Sequence, residues 1–261
     1  TTIRADDLVV RSSAVATANR LSGQTVGERV ATGFGSTCAK IGILIALASI
    51  VGKCLLDSGA ADRIVRSALA VLGQRGAGGA FLGSGFLLGI PVFFDTVFYL
   101  MIPLAKALAS RTGRNYLLYV LAIIAGGSMT HSLVPPTPGP LLVAGELGVD
   151  IGQMIVGGLT VGIFGMIGGF IFAHWANNRW PMEVRAGDDL TAEDLKAMAA
   201  RSDDELPNLW LSLAPILLPV VLIAGHSVLK QVIGADPTAD QKNWLSITSV
   251  LGDKNLALTL G

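Results

Sequence analysis

Long apolar runs separated by short polar segments make up most of the chain. They cover residues 77–105, 116–129, 151–175 and 209–228, with a shorter run at 41–52. About 20 apolar residues are enough for a helix to cross a bilayer. The pattern therefore predicts an all-α integral membrane protein with about five apolar segments.

Proline affects three of these runs. Pro91 lies inside one, another leads into the segment THSLVPPTPGP at residues 130–140, and Pro215 and Pro219 predict kinks in the run at 209–228. Proline removes a backbone donor and clashes with the preceding turn, so we expect a break near Ile90 and a helix that frays from residue 126 onward. In a bilayer, irregular backbone persists only where protein or a water-filled cavity satisfies it, which favours a binding site. A surface loop between two helices is the alternative at residues 130–140.

Polar segments divide the chain into four parts. Residues 1–33 are polar and mixed, which predicts an N-terminal segment outside the hydrocarbon, and residues 34–181 form the predicted membrane domain. Residues 182–208 carry eight Asp and Glu and predict an acidic, hydrophilic cytoplasmic loop. Residues 209–261 begin the next membrane part.

Composition agrees with a membrane protein and excludes several functions. The chain is 51% hydrophobic and 15% charged, with a mean hydropathy of +0.60. Its 19 basic and 19 acidic residues cancel, so nucleic acid is not an expected partner. Because no nucleotide, metal or hydrolase pattern is visible, we expect no cofactor, no metal and no enzymatic activity.

Charge and glycine spacing add two expectations. Residues 106–115 and 176–208 hold seven Lys and Arg while 131–150 hold none, so the first two segments should be cytoplasmic. Arg63, Arg66 and Arg75 would then lie outside if every run crosses once, which indicates a re-entrant hairpin or a miscounted run. Glycines at spacing four favour close helix packing, in the pairs 79/83, 85/89, 158/162 and 165/169.

Three ionisable residues are candidates for chemistry. Asp95 lies within an apolar run, where a charge is costly and functional by default, and it could exchange a proton there. His131 has an ordinary pKa of about 6.5, which suits proton exchange near neutral pH. Structural roles are the alternatives for both. Lys53 is either an interfacial anchor or a positive charge that faces an anionic solute.

Broken helices also predict the charge of a ligand. Their termini lie inside the membrane, where free N–H groups and the positive end of the helix dipole attract anions. The pattern therefore favours an anionic or polar solute. A membrane enzyme is the weakest reading.

Two segments resemble the gluconate permease family of proton symporters. They are GIPVFFDTVFYLMIPLAKALA at residues 89–109 and MTHSLVPPTPGPLLVAGELGVDIGQMIVGG at residues 129–158. Residues 41–65 are similar to the same family in spacing and in the pair Gly52-Lys53. The resemblance implies a multi-span transporter with broken or re-entrant helices, part of an inverted-repeat fold. It also implies symport of gluconate or a related sugar acid with protons across the bacterial cytoplasmic membrane.

The family pattern THxxxPPxPGP maps onto the proline segment of this chain. The resemblance thus implies a substrate site made of Thr130, His131, Ser132, Pro135, Pro136, Thr137, Pro138, Gly139 and Pro140. Asp95 stands where many members have Glu, and it is a candidate for proton coupling together with His131. Lys53 is a candidate anion contact.

Members of the family are longer than this chain. The resemblance therefore implies that an N-terminal span and a C-terminal part are missing, and a truncated fragment that cannot transport is the alternative to a transporter. The expected partners are a gluconate-like anion, protons and the lipid bilayer. A homo-oligomer is left open.

Overall fold

The computed structural model describes residues 22–182, 184, 205–234 and 238–260, together with residues 15, 18 and 19. Most of the predicted acidic loop and of the polar N-terminal segment therefore lies outside the described residues. Residues 1–42 and 43–261 form two compact units.

Helices account for nearly all of the described residues. In chain order they are α1 (Val26–Asp57), α2 (Ala60–Leu72), α3 (Ala77–Leu88), α4 (Phe94–Thr112), α5 (Tyr116–Leu133), α6 (Pro138–Leu147), α7 (Ile151–Arg179), α8 (Leu209–Ile233), α9 (Ala239–Leu251) and α10 (Lys254–Leu260). Within the part of the chain that the structure describes, four segments are long and apolar enough to cross a membrane, namely Val26–Asp57, Tyr116–Leu147, Ile151–Arg179 and Leu209–Ile233. The predicted all-α membrane class is confirmed. The short apolar run at 41–52 belongs to α1, a helix of 32 residues that begins before the predicted boundary at residue 33.

Helices α3 and α4 form a hairpin beside α5. Gly78 of α3 lies against Leu118 near the start of α5, and Gly89 lies against Thr130 near its end, so α3 and α5 run in the same direction. At 1.5 Å per residue, the 12 residues of α3 span about 18 Å, too short for a hydrocarbon core of about 30 Å. Helix α4 then returns to the end where α5 begins.

The α3–α4 hairpin explains why Arg75 did not fit a chain in which every apolar run crosses the membrane once. Arg75 immediately precedes α3, and Arg114 lies between α4 and α5. Both therefore lie at the same end of the molecule. The hairpin has the re-entrant form that the distribution of basic residues indicated.

Helix α7 packs against α5 in the opposite direction through glycines. A Cβ at Gly158 would overlap the carbonyl of Leu133, and one at Gly169 would lie 2.8 Å from Cβ of Ala125. Small residues let the backbones approach this closely. The packing role predicted for these glycines is confirmed for α7, which packs against the end of α5. It is wrong for Gly83, where a Cβ would meet no atom within 4 Å.

Both proline breaks are present, but the second is shorter than expected. Residues 89–93 separate α3 from α4, as Pro91 predicted. Helix α5 continues to Leu133, so the predicted fraying from residue 126 is wrong. A Cβ at Gly126 would overlap the carbonyl of Leu82. The glycines here serve close packing on α3, which keeps α5 helical up to the break at residues 134–137.

Candidate functional site

The two breaks lie side by side in the folded chain. A Cβ at Gly89, in the first break, would overlap the hydroxyl of Thr130 and lie 3.1 Å from the carbonyl of Gly127. A Cβ at Gly127 would lie 2.8 Å from Cδ2 of Phe94. Because only hydrogen atoms fit at these glycines, the tip of the hairpin packs directly on the last turns of α5.

His131 faces the first break from the last turn of α5. Its ring lies edge-on to the ring of Phe93, with centroids 5.9 Å apart. The side chain is half-buried, and its Nδ1 atom is enclosed with no hydrogen-bond partner among the described residues. Asp95 is near enough to act on the imidazole electrostatically. Since buried polar atoms are usually paired, this nitrogen is a natural point for binding a solute, a water or a proton.

Asp95 differs from its sequence interpretation in one respect. The break at Pro91 moves it into the first turn of α4, where its side chain is exposed. Asp95 therefore lies at the start of a helix and not in the middle of one. A carboxylate in this position interacts favourably with the positive end of the α4 dipole.

Two of the predicted hydroxyls are already used inside the protein. Thr130 is fully buried, and its hydroxyl donates to the carbonyls of Gly126 at 3.2 Å and Gly127 at 3.3 Å. The buried Thr137 donates to the carbonyl of Val134 at 2.7 Å. Both hydroxyls therefore help to hold the breaks. Ser132, by contrast, is exposed.

The proline segment shapes the start of α6. Pro135 and Pro136 are buried and joined by a cis peptide bond. Pro138 and Pro140 have no N–H, so Gly139 supplies an N–H between them in the first turn of α6. A Cβ at Gly139 would meet no atom within 4 Å. The helix start is therefore open at Gly139, but it offers fewer N–H donors than an ordinary helix terminus.

Lys53 pairs with a neighbour on its own helix. Its Nζ atom lies 2.7 Å from Oδ1 of Asp57, and the two side chains are 71% and 61% exposed. Such exposed pairs contribute little to stability. The contact fits the interfacial reading of Lys53, although Gly52 next to it packs against Val92 of the first break.

A further polar contact was not foreseen from the sequence. Asp150 caps α7 by accepting from the N–H groups of Gly152 at 3.0 Å and Gln153 at 3.2 Å, and it also accepts from the Ser227 hydroxyl on α8. Partial burial opposes ionisation, but the Ser227 and backbone hydrogen bonds and the charge of Lys230 outweigh it and lower the pKa of Asp150. An Asp before an apolar run predicts a cap. Nothing in the sequence identifies Ser227, 77 residues away.

The structure thus brings part of the predicted set together. His131 and Asp95 lie at the junction of the breaks, where Phe93 and Gly89 join them although neither was a predicted site residue. Ser132 and Gly139 are exposed groups of the second break. The junction itself combines the His131 Nδ1 atom, which has no hydrogen-bond partner among the described residues, with the nearby Asp95 carboxylate.

Comparison with known proteins assigns this chain to a family. Residues 7–261 match the family model described as GntP family permease. An uncharacterized permease of Haemophilus influenzae is 35% identical over 256 residues, which is 97% of this chain and 52% of that protein. A gluconate permease of Pseudomonas aeruginosa is 36% identical over 73% of this chain and 42% of its own length. A gluconate permease of Zymomonas mobilis is 32% identical over 77% of this chain and 43% of its own.

These relatives are named as permeases rather than enzymes. The chain spans about half of their length. No solved structure matches it significantly.

Proposed function

Because the chain belongs to the GntP permease family, an integral and multi-pass membrane family, we propose that the protein containing it transports gluconate or a related sugar acid. The transport crosses the bacterial cytoplasmic membrane in symport with protons. The observation that carries this proposal is the junction of the two helix breaks, with the unpartnered Nδ1 of His131 facing it. The names of the relatives support the substrate class.

The solute contacts lie on the second break in this proposal. The Ser132 hydroxyl and the Gly139 N–H are the exposed groups there, and they suit the carboxylate and hydroxyls of a sugar acid. Thr130, Thr137 and the buried prolines contribute by fixing the backbone around them. Lys53 contributes at most to the general attraction of anions, since its charge is paired with Asp57.

His131 and Asp95 carry the proton in this proposal. A protonated imidazole favours an anion at the junction, and its deprotonation favours release. Asp95 is the second residue on the proton path in this proposal, because it is near enough to interact electrostatically with His131. Binding of the anion and of the proton are thereby coupled.

Uptake of labelled gluconate tests the proposal. The reading frame that contains this chain is expressed in cells without gluconate transporters, with and without a proton gradient. We expect Asp95→Asn and His131→Gln to abolish accumulation driven by the gradient. His174→Gln is the matched control, since this exposed histidine contacts Phe170 of its own helix, through the Phe170 carbonyl at 3.2 Å and the Phe170 ring at 4.5 Å between centroids. Uptake that ignores the gradient, or that is normal in Asp95→Asn, would rule out the proton role.

A further inference from the structure

A cleft of about 370 Å³ opens at the end of the molecule opposite the proline breaks. It lies where α4 ends, α5 begins and the chain leaves α7. Its lining consists of Ala109, Ser110, Gly113, Arg114, Tyr116, Met182 and Val184. Among the described residues, the lining therefore combines one guanidinium with hydroxyl groups and apolar walls and includes no carboxylate.

Local backbone geometry fixes the position of Arg114 at the mouth of this cleft. Gly113 and Asn115, on either side of it, both have a φ of 67°, which turns the chain sharply between α4 and α5. The Thr112 hydroxyl donates to the carbonyl of Arg114 at 3.3 Å. A short, tight turn thus holds the guanidinium beside the cleft instead of on a long loop.

Asn177 of α7 forms hydrogen bonds to the chain around the start of α5. Its side-chain amide donates to Oδ1 of Asn115 at 3.1 Å, and its Oδ1 accepts from the N–H of Leu118 at 3.2 Å. The end of α7 is therefore joined directly to the start of α5. The walls of the cleft are held by side-chain hydrogen bonds across 59 and 62 residues of sequence.

Exposed aromatic residues place this end at the depth of lipid headgroups. Trp175 and Trp180 are 54% and 51% exposed, and their rings are perpendicular with centroids 5.1 Å apart. Phe172 packs against Trp175 at 5.5 Å, and the Arg179 guanidinium lies 5.6 Å from the centre of the Trp180 ring. Tryptophan and arginine together at the end of an apolar helix are typical of the membrane interface.

We propose that this cleft binds the phosphate of an anionic phospholipid, with Arg114 as its main contact. The hydroxyls of Ser110 and Tyr116 supply further donors, and the exposed side chains of Phe172 and Trp175 offer a surface for the acyl chains. Basic pockets between helices at the cytoplasmic face are known to suit anionic headgroups. The inference does not depend on which solute the protein carries.

Native mass spectrometry of the full chain, delipidated and then mixed with defined lipid in detergent, tests the proposal. The probes are phosphatidylglycerol, phosphatidylcholine and free glycerol 3-phosphate. We expect phosphatidylglycerol to be retained in preference to phosphatidylcholine and to glycerol 3-phosphate. Arg114→Gln should weaken that retention about fivefold, the worth of one basic residue near an anionic surface. Arg114→Lys, which keeps the charge, should restore most of it.

Arg75→Gln is the matched control, since it removes the same charge at the same end without altering the lining of the cleft. Its effect should stay well below that fivefold loss, because Arg75 lies outside the lining and contributes only long-range attraction, which salt screens. Equal retention of phosphatidylglycerol and phosphatidylcholine by the unchanged chain would overturn the proposal. So would equal losses in Arg114→Gln and Arg75→Gln. Stronger retention of glycerol 3-phosphate than of the lipid would identify a free-phosphate site instead.

Discussion

Thr130, His131 and Ser132 are neighbours in sequence but have three different environments. Thr130 is fully buried, His131 is half-buried and Ser132 is exposed. Successive side chains on a helix point about 100° apart, so three consecutive polar residues cannot all face one cavity. The sequence marked these three polar residues as candidates. It could not tell which member faces outward, because that depends on where α3 and α7 pack around α5.

Asp150 is expected to make stability depend on pH. Its pKa is lowered in the folded chain, so the stabilisation is fully present above its ordinary value of about 3.9 and is lost as the pH falls through the folded-state pKa. Compared with Asp150→Asn, the unchanged protein should be more stable at pH 7, and the difference should shrink below about pH 4. Thermal unfolding in detergent at several pH values measures this.

The control for Asp150 is Asp240→Asn, an exposed carboxylate in the first turn of α9. It should show a smaller difference from the unchanged protein at pH 7. A difference for Asp150→Asn that grows on acidification would contradict the sign of the shift.

At the scale of helices, local sequence and the packing of neighbouring helices together decide where a helix ends. Proline chemistry predicted where α3 must stop, and the structure agrees. The low helix propensity of glycine at 126 and 127 wrongly suggested fraying, since propensity is a weak prior that tertiary packing overrides. The close approach of α3 requires these glycines and holds α5 helical. Local sequence thus located the break near Pro91, but it placed the start of the second break too early.

Gly89→Ala should loosen the hairpin from α5. The added methyl group would overlap Thr130 and lie 3.0 Å from the Gly85 carbonyl, so we expect a loss of about 1–3 kcal/mol in the free energy of unfolding. Gly83→Ala in the same region of the chain meets no atom within 4 Å. It should be neutral or slightly stabilising, by up to about 1 kcal/mol. Unfolding titrations in mixed detergent compare the two, and equal stabilities would argue against the close contact.

At the scale of the molecule, the α3–α4 hairpin decides the topology. Hydropathy alone cannot separate a hairpin from one long span, because residues 77–105 are apolar apart from Ser84, Asp95, Thr96 and the prolines at 91 and 103. The basic residues supplied the information that hydropathy lacks, because Arg75 and Arg114, at the two ends of the hairpin, are both expected on the cytoplasmic side. The direction of α3 beside α5 required the three-dimensional structure.

Cysteine labelling tests this topology. Arg75→Cys and Arg114→Cys, placed in a chain with Cys38 and Cys54 replaced by serine because both are exposed, should react with an impermeant reagent from the same side of the membrane. Val149→Cys, just before α7 at the opposite end, should react from the other side. Labelling of Arg75→Cys and Arg114→Cys from opposite sides would mean that residues 77–112 cross the membrane once.

Protection of Ser132→Cys by substrate tests the central claim most directly, which is that the junction of the two breaks is the solute site. The variant is made in the reading frame that contains this chain, without the other cysteines, and its alkylation rate is measured in membranes. Gluconate should slow the reaction, neutral glucose should not, and Ser246→Cys on the exposed face of α9 should be unaffected by either. An alkylation rate for Ser132→Cys that gluconate leaves unchanged, or that glucose slows equally, would contradict the account.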